Sequence, residues 1–130
     1  MRRRIGIKAA AALAACAVMA TPALARVIEG TNGPDKLIGS KNGDRITGKR
    51  GNDIIRSAEG RDRLFAGGGN DFVKGGQGFD RIRTGRGDDE IHIRDGRPDY
   101  VDCGPGDDKV FVDRVEDGIF DCERVKEEKR

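Results

Sequence analysis

The sequence predicts an all-β chain built as a solenoid of short repeats, and three observations carry that prediction. An aspartate returns every nine residues over most of the chain. Each lies at the end of a stretch rich in glycine and is followed two residues later by Leu, Ile or Val. The third observation is composition: 37% charged residues, 20 glycines, no tryptophan and one tyrosine, Tyr100, are poor material for an ordinary core in 130 residues. Self-similarity at a fixed period outranks local propensity in deciding an architecture.

The clearest units lie in residues 66–83, AGGGNDFVK followed by GGQGFDRIR. Gly69 or Gly78 stands at the fourth position, Asp71 or Asp80 at the sixth, and Val73 or Ile82 at the eighth. Glycine supplies the positive φ of a tight turn and leaves carbonyl oxygens uncovered, and the β-branched residue begins an extended segment. Backwards, Asp62, Asp53, Asp44 and Asp35 keep the spacing and are followed by Leu64, Ile55, Ile46 and Leu37. Forwards, Asp89 with Ile91 keeps it, and one extra residue then falls within residues 93–102, where Pro98 precedes Asp99. Asp108 with Val110 and Asp117 with Ile119 resume the register.

Carboxylates at the ends of turns whose carbonyls are bare form a donor set for a hard cation. Calcium takes about six to eight oxygens and suits it.

These units resemble the hemolysin-type calcium-binding repeats, also called RTX repeats, whose consensus is G-G-x-G-x-D-x-U-x. The resemblance covers about residues 30–120. It implies a right-handed parallel β-roll, with two nonapeptides per turn of the spiral and several Ca2+ ions held in the turns between rungs. On that pattern Asp71 stacks on Asp53 and Asp89, and Asp80 on Asp62 and Asp99. The implied ligands are Asp35, Asp44, Asp53, Asp62, Asp71, Asp80, Asp89, Asp99 and Asp108. Backbone oxygens at Gly67, Gly69, Gly76, Gly78, Gly85 and Gly87 join them, with Asn52, Asn70, Asp88 and Asp107 as auxiliary donors.

In chain order, residues 1–25 read as a signal peptide outside the fold. Arg2, Arg3, Arg4 and Lys8 form a basic start, an apolar run too short to span a bilayer follows, and Ala23-Leu24-Ala25 is an A-x-A cleavage pattern. A rival reading is lipoprotein processing at Cys16, after Leu13-Ala14-Ala15. Both readings export the chain to the cell surface or beyond and leave no transmembrane span in the mature form. Cleavage removes four of the 25 basic and none of the 23 acidic residues, so the mature balance is 21 minus 23, or −2. The basic isoelectric point of the whole chain therefore says nothing about partners, and no nucleic-acid partner is expected.

Residues 26–29 read as a short lead-in, and the repeats begin at Gly30. The first units depart mildly: Thr31 stands for a glycine, and Asn42, which tolerates a left-handed conformation, holds a fourth position. Ser57 and Ala58 replace both leading glycines of the fourth unit, and Arg94 enters the turn of the eighth, so weaker sites are expected at Asp62 and Asp99 than at Asp71 and Asp89. The fifth position alternates. Odd units carry Asn52, Asn70, Asp88 and Asp107 there, and even units carry Gly43, Arg61, Phe79 and Pro98. Two unequal sides of a spiral produce such a double period, and the odd side, with its extra oxygens, is expected to bind calcium more tightly. The alternative is that Asn and Asp serve there as turn residues only.

Along the strands, Leu37, Ile46, Ile55, Leu64, Val73, Ile82, Ile91, Val101, Val110 and Ile119 are expected inside. Lys36, Arg45, Arg63, Lys74, Arg81 and Arg83 are expected outside by the period of two. So few apolar side chains against the entropy of ordering a glycine-rich chain point to folding driven by metal binding.

Residues 121–130 read as a C-terminal cap and charged tail, since a solenoid needs an atypical last unit. Already in the unit before it, Asp113 and Val115 hold glycine positions. Cys103 and Cys122 lie 19 residues apart, close to one turn of the spiral the resemblance implies, and are expected to form a disulfide on neighbouring rungs.

Catalysis is not expected. His92, the single histidine, takes an outward position and reads as a solvated surface residue, and no zinc motif or nucleophile with a base beside it occurs. Two other roles fit the outer surface. The Arg and Lys residues can form a stripe for a cell-envelope polyanion or simply guard the sheets against aggregation, and an adhesive wall protein could use calcium as a staple.

Overall fold

The computed structural model describes residues 25–93, 95–112 and 118–127. The signal-peptide expectation, except for Ala25, and the expectations at Arg94, Asp113, Val115 and Asp117 lie outside them. The described residues form twelve short strands and no helix: β1 Val27–Glu29, β2 Lys36–Ile38, β3 Arg45–Thr47, β4 Ile54–Arg56, β5 Arg63–Phe65, β6 Phe72–Lys74, β7 Arg81–Arg83, β8 Glu90–Ile93, β9 Tyr100–Asp102, β10 Lys109–Val112, β11 Gly118–Phe120 and β12 Arg124–Glu127.

Successive strands alternate between two six-stranded sheets, one ordered β1-β3-β5-β7-β9-β11 and the other β12-β10-β8-β6-β4-β2. All pairings are parallel. Three or four residues of strand and a glycine turn suffice for half a coil, so the chain is a β-solenoid of the β-roll kind. Register follows the repeat: Ile46 opposes Leu64 and Leu64 opposes Ile82 in one sheet, and Ile55 opposes Val73 and Val73 opposes Ile91 in the other.

The eighth-position side chains fill the interior. Ile46, Ile55, Leu64, Val73, Ile82, Ile91, Val101 and Val110 are fully buried and Leu37 nearly so, while Ile28 and Ile119 pack against them at the ends. Lys36, Arg45, Arg63, Lys74, Arg81 and Arg83 are exposed, as the period of two requires.

A second inner column was not anticipated. First-position residues Ser57, Ala66, Thr84, Ile93, Cys103 and Val112 are also buried. They lie two residues beyond an eighth position, so the same alternation carries on across the unit boundary. Ile91 with Ile93, and Val110 with Val112, were its visible signal.

The ends differ from the sequence reading. The lead-in is strand β1, with Ile28 opposite Ile46, so the spiral starts one unit earlier than the glycines suggested. The tail is in part strand β12, whose Arg124 to Glu127 oppose Lys109 to Val112. It covers the edge of β10 while all its own residues stay exposed. The extra residue falls where expected, between Ile93, opposite Val112 in β10, and Asp99, one turn and one residue after Asp80. Cys103, at the start of the turn after β9, is disulfide-bonded to Cys122 after β11, with Cα atoms 5.1 Å apart. The two strands are hydrogen-bonded neighbours.

His92 takes the outward surface position expected of it. It points outward with 27% of its side chain exposed, and it is packed as well: its ring stacks on Phe111 at 4.6 Å and lies against Phe72 at 5.1 Å, and Nε2 meets Glu90 Oε1 at 2.8 Å. Outward positions on adjacent rungs pack together as inner ones do.

Candidate metal centre

Each sixth-position aspartate is the last turn residue before a strand. The eighth position points inward, so the sixth does as well, and the carboxylate enters the interior. Asp44, Asp53, Asp62, Asp71, Asp80, Asp89, Asp99 and Asp108 are all buried, none more than 4% exposed, and Asp35 is half-buried.

The aspartates are stacked as the resemblance implied, and the stacking is a chain of hydrogen bonds. On one side the backbone N–H of Asp35 donates to Asp53 Oδ1 (2.9 Å), Asp53 to Asp71 (2.8 Å), Asp71 to Asp89 (2.7 Å) and Asp89 to Asp108 (2.9 Å). On the other, Asp44 donates to Asp62 (2.7 Å), Asp62 to Asp80 (2.9 Å) and Asp80 to Asp99 (2.8 Å). Oδ1 is thereby fixed.

The second oxygen is not. Oδ2 of Asp53, Asp62, Asp71, Asp80, Asp89 and Asp108 is buried and has no hydrogen-bond partner. At Asp53 and Asp80 it faces a glycine at the first position of its own unit: a Cβ on Gly75 would lie 3.2 Å from Asp80 Oδ2, and one on Gly48 would collide with Asp53 Oδ2 and the Ala66 carbonyl. Buried oxygens without partners are costly.

Charge makes the cost larger. Full charges one rung apart, about 4.8 Å, repel by roughly 3 kcal/mol at an effective dielectric constant of about 20, and inner members of each ladder have two such neighbours. Burial, more than this repulsion, makes the carboxyls resist ionisation. Burial pushes Asp53 and Asp89 up to about 7, Asp62 and Asp71 to about 6 and Asp80 to about 8, from an ordinary value of 3.8. Asp108 is raised for the same reason. Loss of water is the largest cause throughout, the N–H from the previous rung opposes it, as do the nearby hydroxyls of Ser57 at Asp62 and Thr84 at Asp89, and stacked aspartates add to the rise at Asp53, Asp62, Asp80 and Asp89.

The available donors are oxygens. Among the described residues no three His, Cys, Asp or Glu side chains converge on one point, so an ion here must take most of its shell from the backbone. The turns offer that. Gly67, Gly69, Gly76, Gly78, Gly85 and Gly87 all have positive φ. A Cβ on Gly69 would meet the carbonyl oxygen of Gly51, and one on Gly87 that of Gly69. These carbonyls accept none of the hydrogen bonds between turns among the described residues. Unmatched carboxylate oxygens with bare carbonyls and no sulfur or imidazole fit calcium and not a soft metal.

Two aspartates stand apart. Oδ2 of Asp35 accepts from the N–H and hydroxyl of Thr31, and Oδ2 of Asp44 from those of Ser40. Their second oxygens are already satisfied by the protein. The signal was present as a hydroxyl residue four positions before an aspartate, an arrangement that favours local side-chain bonding, but Thr31 reads in the sequence only as a mild departure from glycine and Ser40 is not singled out. At the fourth unit, Ala58 adopts φ 82° in place of glycine, and the Ser57 hydroxyl donates to the Gly75 carbonyl.

The fifth-position residues also form a ladder, exposed and running in the reverse direction. Asn70 N–H donates to Asn52 Oδ1 (2.8 Å), Asp88 N–H to Asn70 Oδ1 (2.9 Å) and Asp107 N–H to Asp88 Oδ1 (2.9 Å). Arg124 holds Asp107 Oδ2 at 2.9 Å. Each of these oxygens keeps spare acceptor capacity but already has a structural task.

A family model described as the RTX calcium-binding nonapeptide repeat, in four copies, matches residues 27–55, 38–73 and 65–97. No curated protein and no solved structure matches the chain.

Proposed function

Because the chain belongs to the family of RTX calcium-binding nonapeptide repeats, we propose that its two aspartate ladders bind several calcium ions and that this binding drives the roll to fold. The observation that carries the reading is the row of buried, unmatched Oδ2 atoms at Asp53, Asp62, Asp71, Asp80, Asp89 and Asp108. Calcium supplies the counter-charge that lets these carboxyls ionise in the interior. The protein's own contribution is to hold Oδ1 by the N–H of the previous rung, to leave Oδ2 open, and to keep the turn carbonyls bare with glycine. Asp35 and Asp44, already satisfied by Thr31 and Ser40, contribute least. The side bearing Asn52, Asn70 and Asp88 binds more tightly, because their oxygens can accept a second partner.

The reading places the protein outside the cytoplasm. The basic start and A-x-A pattern of residues 1–25 support this, as does a disulfide, which persists in oxidising compartments. Extracellular calcium then fills sites of micromolar to millimolar affinity that cytosolic calcium leaves empty. The reading assigns no catalytic role, and no helix among the described residues is long and apolar enough to cross a membrane.

Calorimetric titration of the chelator-stripped chain with calcium tests the proposal. Uptake of several ions is expected, weakened more by Asp71→Asn or Asp80→Asn than by Asp35→Asn. Absence of uptake would overturn it, and an equal loss in all three variants would overturn the ranking.

A further inference from the structure

The outer face of the first sheet carries three arginines in one column. Arg45 opposes Arg63 and Arg63 opposes Arg81 on consecutive hydrogen-bonded strands, and all three are exposed. Like charges directly opposite one another destabilise a sheet. Among the described residues none of the three has a carboxylate partner, although Arg83, in the adjacent column, has Asp102 at 3.5 Å. Two are held in place by rings: the Arg45 guanidinium lies 5.5 Å from the centre of Phe65 and that of Arg81 5.2 Å from Tyr100. Tyr100 continues the column beyond Arg81 and packs on Phe120 at 5.0 Å, and both rings are exposed, by 39% and 49%.

No comparable row exists on the other sheet. Its matching columns are interrupted by Phe72, Glu90 and His92, and no more than two cations stand in succession. A chain whose expected mature balance is −2 has no general attraction for anions, so the row is a local feature.

We propose that this face binds a linear acidic polysaccharide. Arginine forks in a row, those of Arg45 and Arg81 already placed over rings, can each pair with a carboxylate of such a polymer. The exposed Tyr100 and Phe120 rings offer an apolar platform for the faces of sugar rings, which a polymer without rings would leave unused. The inference rests on the calcium reading only in that calcium produces the folded face.

The test is binding of the calcium-loaded chain to immobilised hyaluronan, with dextran as the uncharged sugar polymer and polyglutamate as the carboxylate polymer without sugars. Circular dichroism of the same samples reports folding. Retention on hyaluronan that falls with salt, little on dextran and weaker retention on polyglutamate are expected. The triple variant R45Q/R63Q/R81Q should fold normally in calcium and lose about tenfold or more in affinity. K36Q/R56Q/K74Q, which removes as many charges from the other sheet, should stay within about twofold of the parent. A folded parent that does not bind, or equal losses in the two variants, would overturn the proposal. Polyglutamate bound as tightly as hyaluronan would overturn the role of the rings. If β structure is already complete in chelator, the calcium reading fails and binding is measured on that form.

Discussion

The backbone N–H of Asp53 donates to Asp71 Oδ1 at 2.8 Å across one turn of the solenoid, while Asp71 Oδ2 is buried without a partner. One carboxyl group therefore does two separable things. Oδ1 sets the register between rungs and needs no charge, whereas Oδ2 and the charge are useful only to a cation.

Substitution at Asp71 separates the two. Asp71→Asn retains an oxygen for the Asp53 N–H and removes the charge, so the calcium midpoint for folding should rise about tenfold or more, while residual β structure in chelator at pH 5, where the carboxyls take up protons, should not fall. Asp71→Ala also strands the Asp53 N–H, at a cost of about 1–3 kcal/mol, and should be destabilised with or without calcium. Denaturation of both variants in saturating calcium, with the β signal of each in chelator at pH 5, checks this.

Acid should partly replace calcium. The folded carboxyls at Asp53, Asp62, Asp71, Asp80 and Asp89 take up protons at about 6 to 8, against 3.8 ordinarily. The folded state thus binds more protons than the unfolded one between those limits, and stability falls as pH rises. Their stabilising contribution is fully present below about pH 4 and is lost through pH 6 to 8. In chelator, β structure measured by circular dichroism should increase from pH 8 to pH 5. In calcium the trend should weaken or reverse, because binding displaces protons.

Neighbouring glycines should respond differently to a methyl group. Gly69 has φ 113°, and a Cβ there would meet the Gly51 carbonyl, whereas a Cβ on Gly68 meets nothing within 4 Å. Gly69→Ala should cost roughly 2 kcal/mol or more and lower calcium affinity by displacing a carbonyl. Gly68→Ala should leave both nearly unchanged.

The Cys103–Cys122 bond closes the end of the spiral where the strands have fewest neighbours. Reduction should cost about 3 kcal/mol in the chain-entropy picture. Because it joins the rungs of β9 and β11, hydrogen exchange should rise first in residues 99–112 and 118–127 and leave residues 54–83 protected. Uniform loss of protection would contradict a local staple.

What the sequence revealed depended on whether one residue type repeated alone. Asp and the aliphatic residue two places later recur at fixed spacing, so the ladders, the inner column and the slip before Asp99 were legible. The first-position column was missed because its members differ, Ser57, Ala66, Thr84, Ile93 and Cys103, and only their shared burial unites them. Strand β1 was missed because Arg26 stands where an aspartate was sought; its N–H donates to Asp44 Oδ1 at 2.8 Å, as an aspartate's would. Strand β12 follows a shorter return without the glycine signature. The His92 stack joins Phe72 and Phe111 from different rungs, which no local window brings together.

The central claim is that calcium makes the aspartate ladders foldable. Far-UV circular dichroism of the chain from Arg26 onward, titrated with calcium from a chelated start at pH 8, with magnesium at matched ionic strength as control, tests it most directly. A cooperative coil-to-β transition in calcium and not in magnesium is the predicted result. A β signal in chelator equal to that in calcium would contradict the claim.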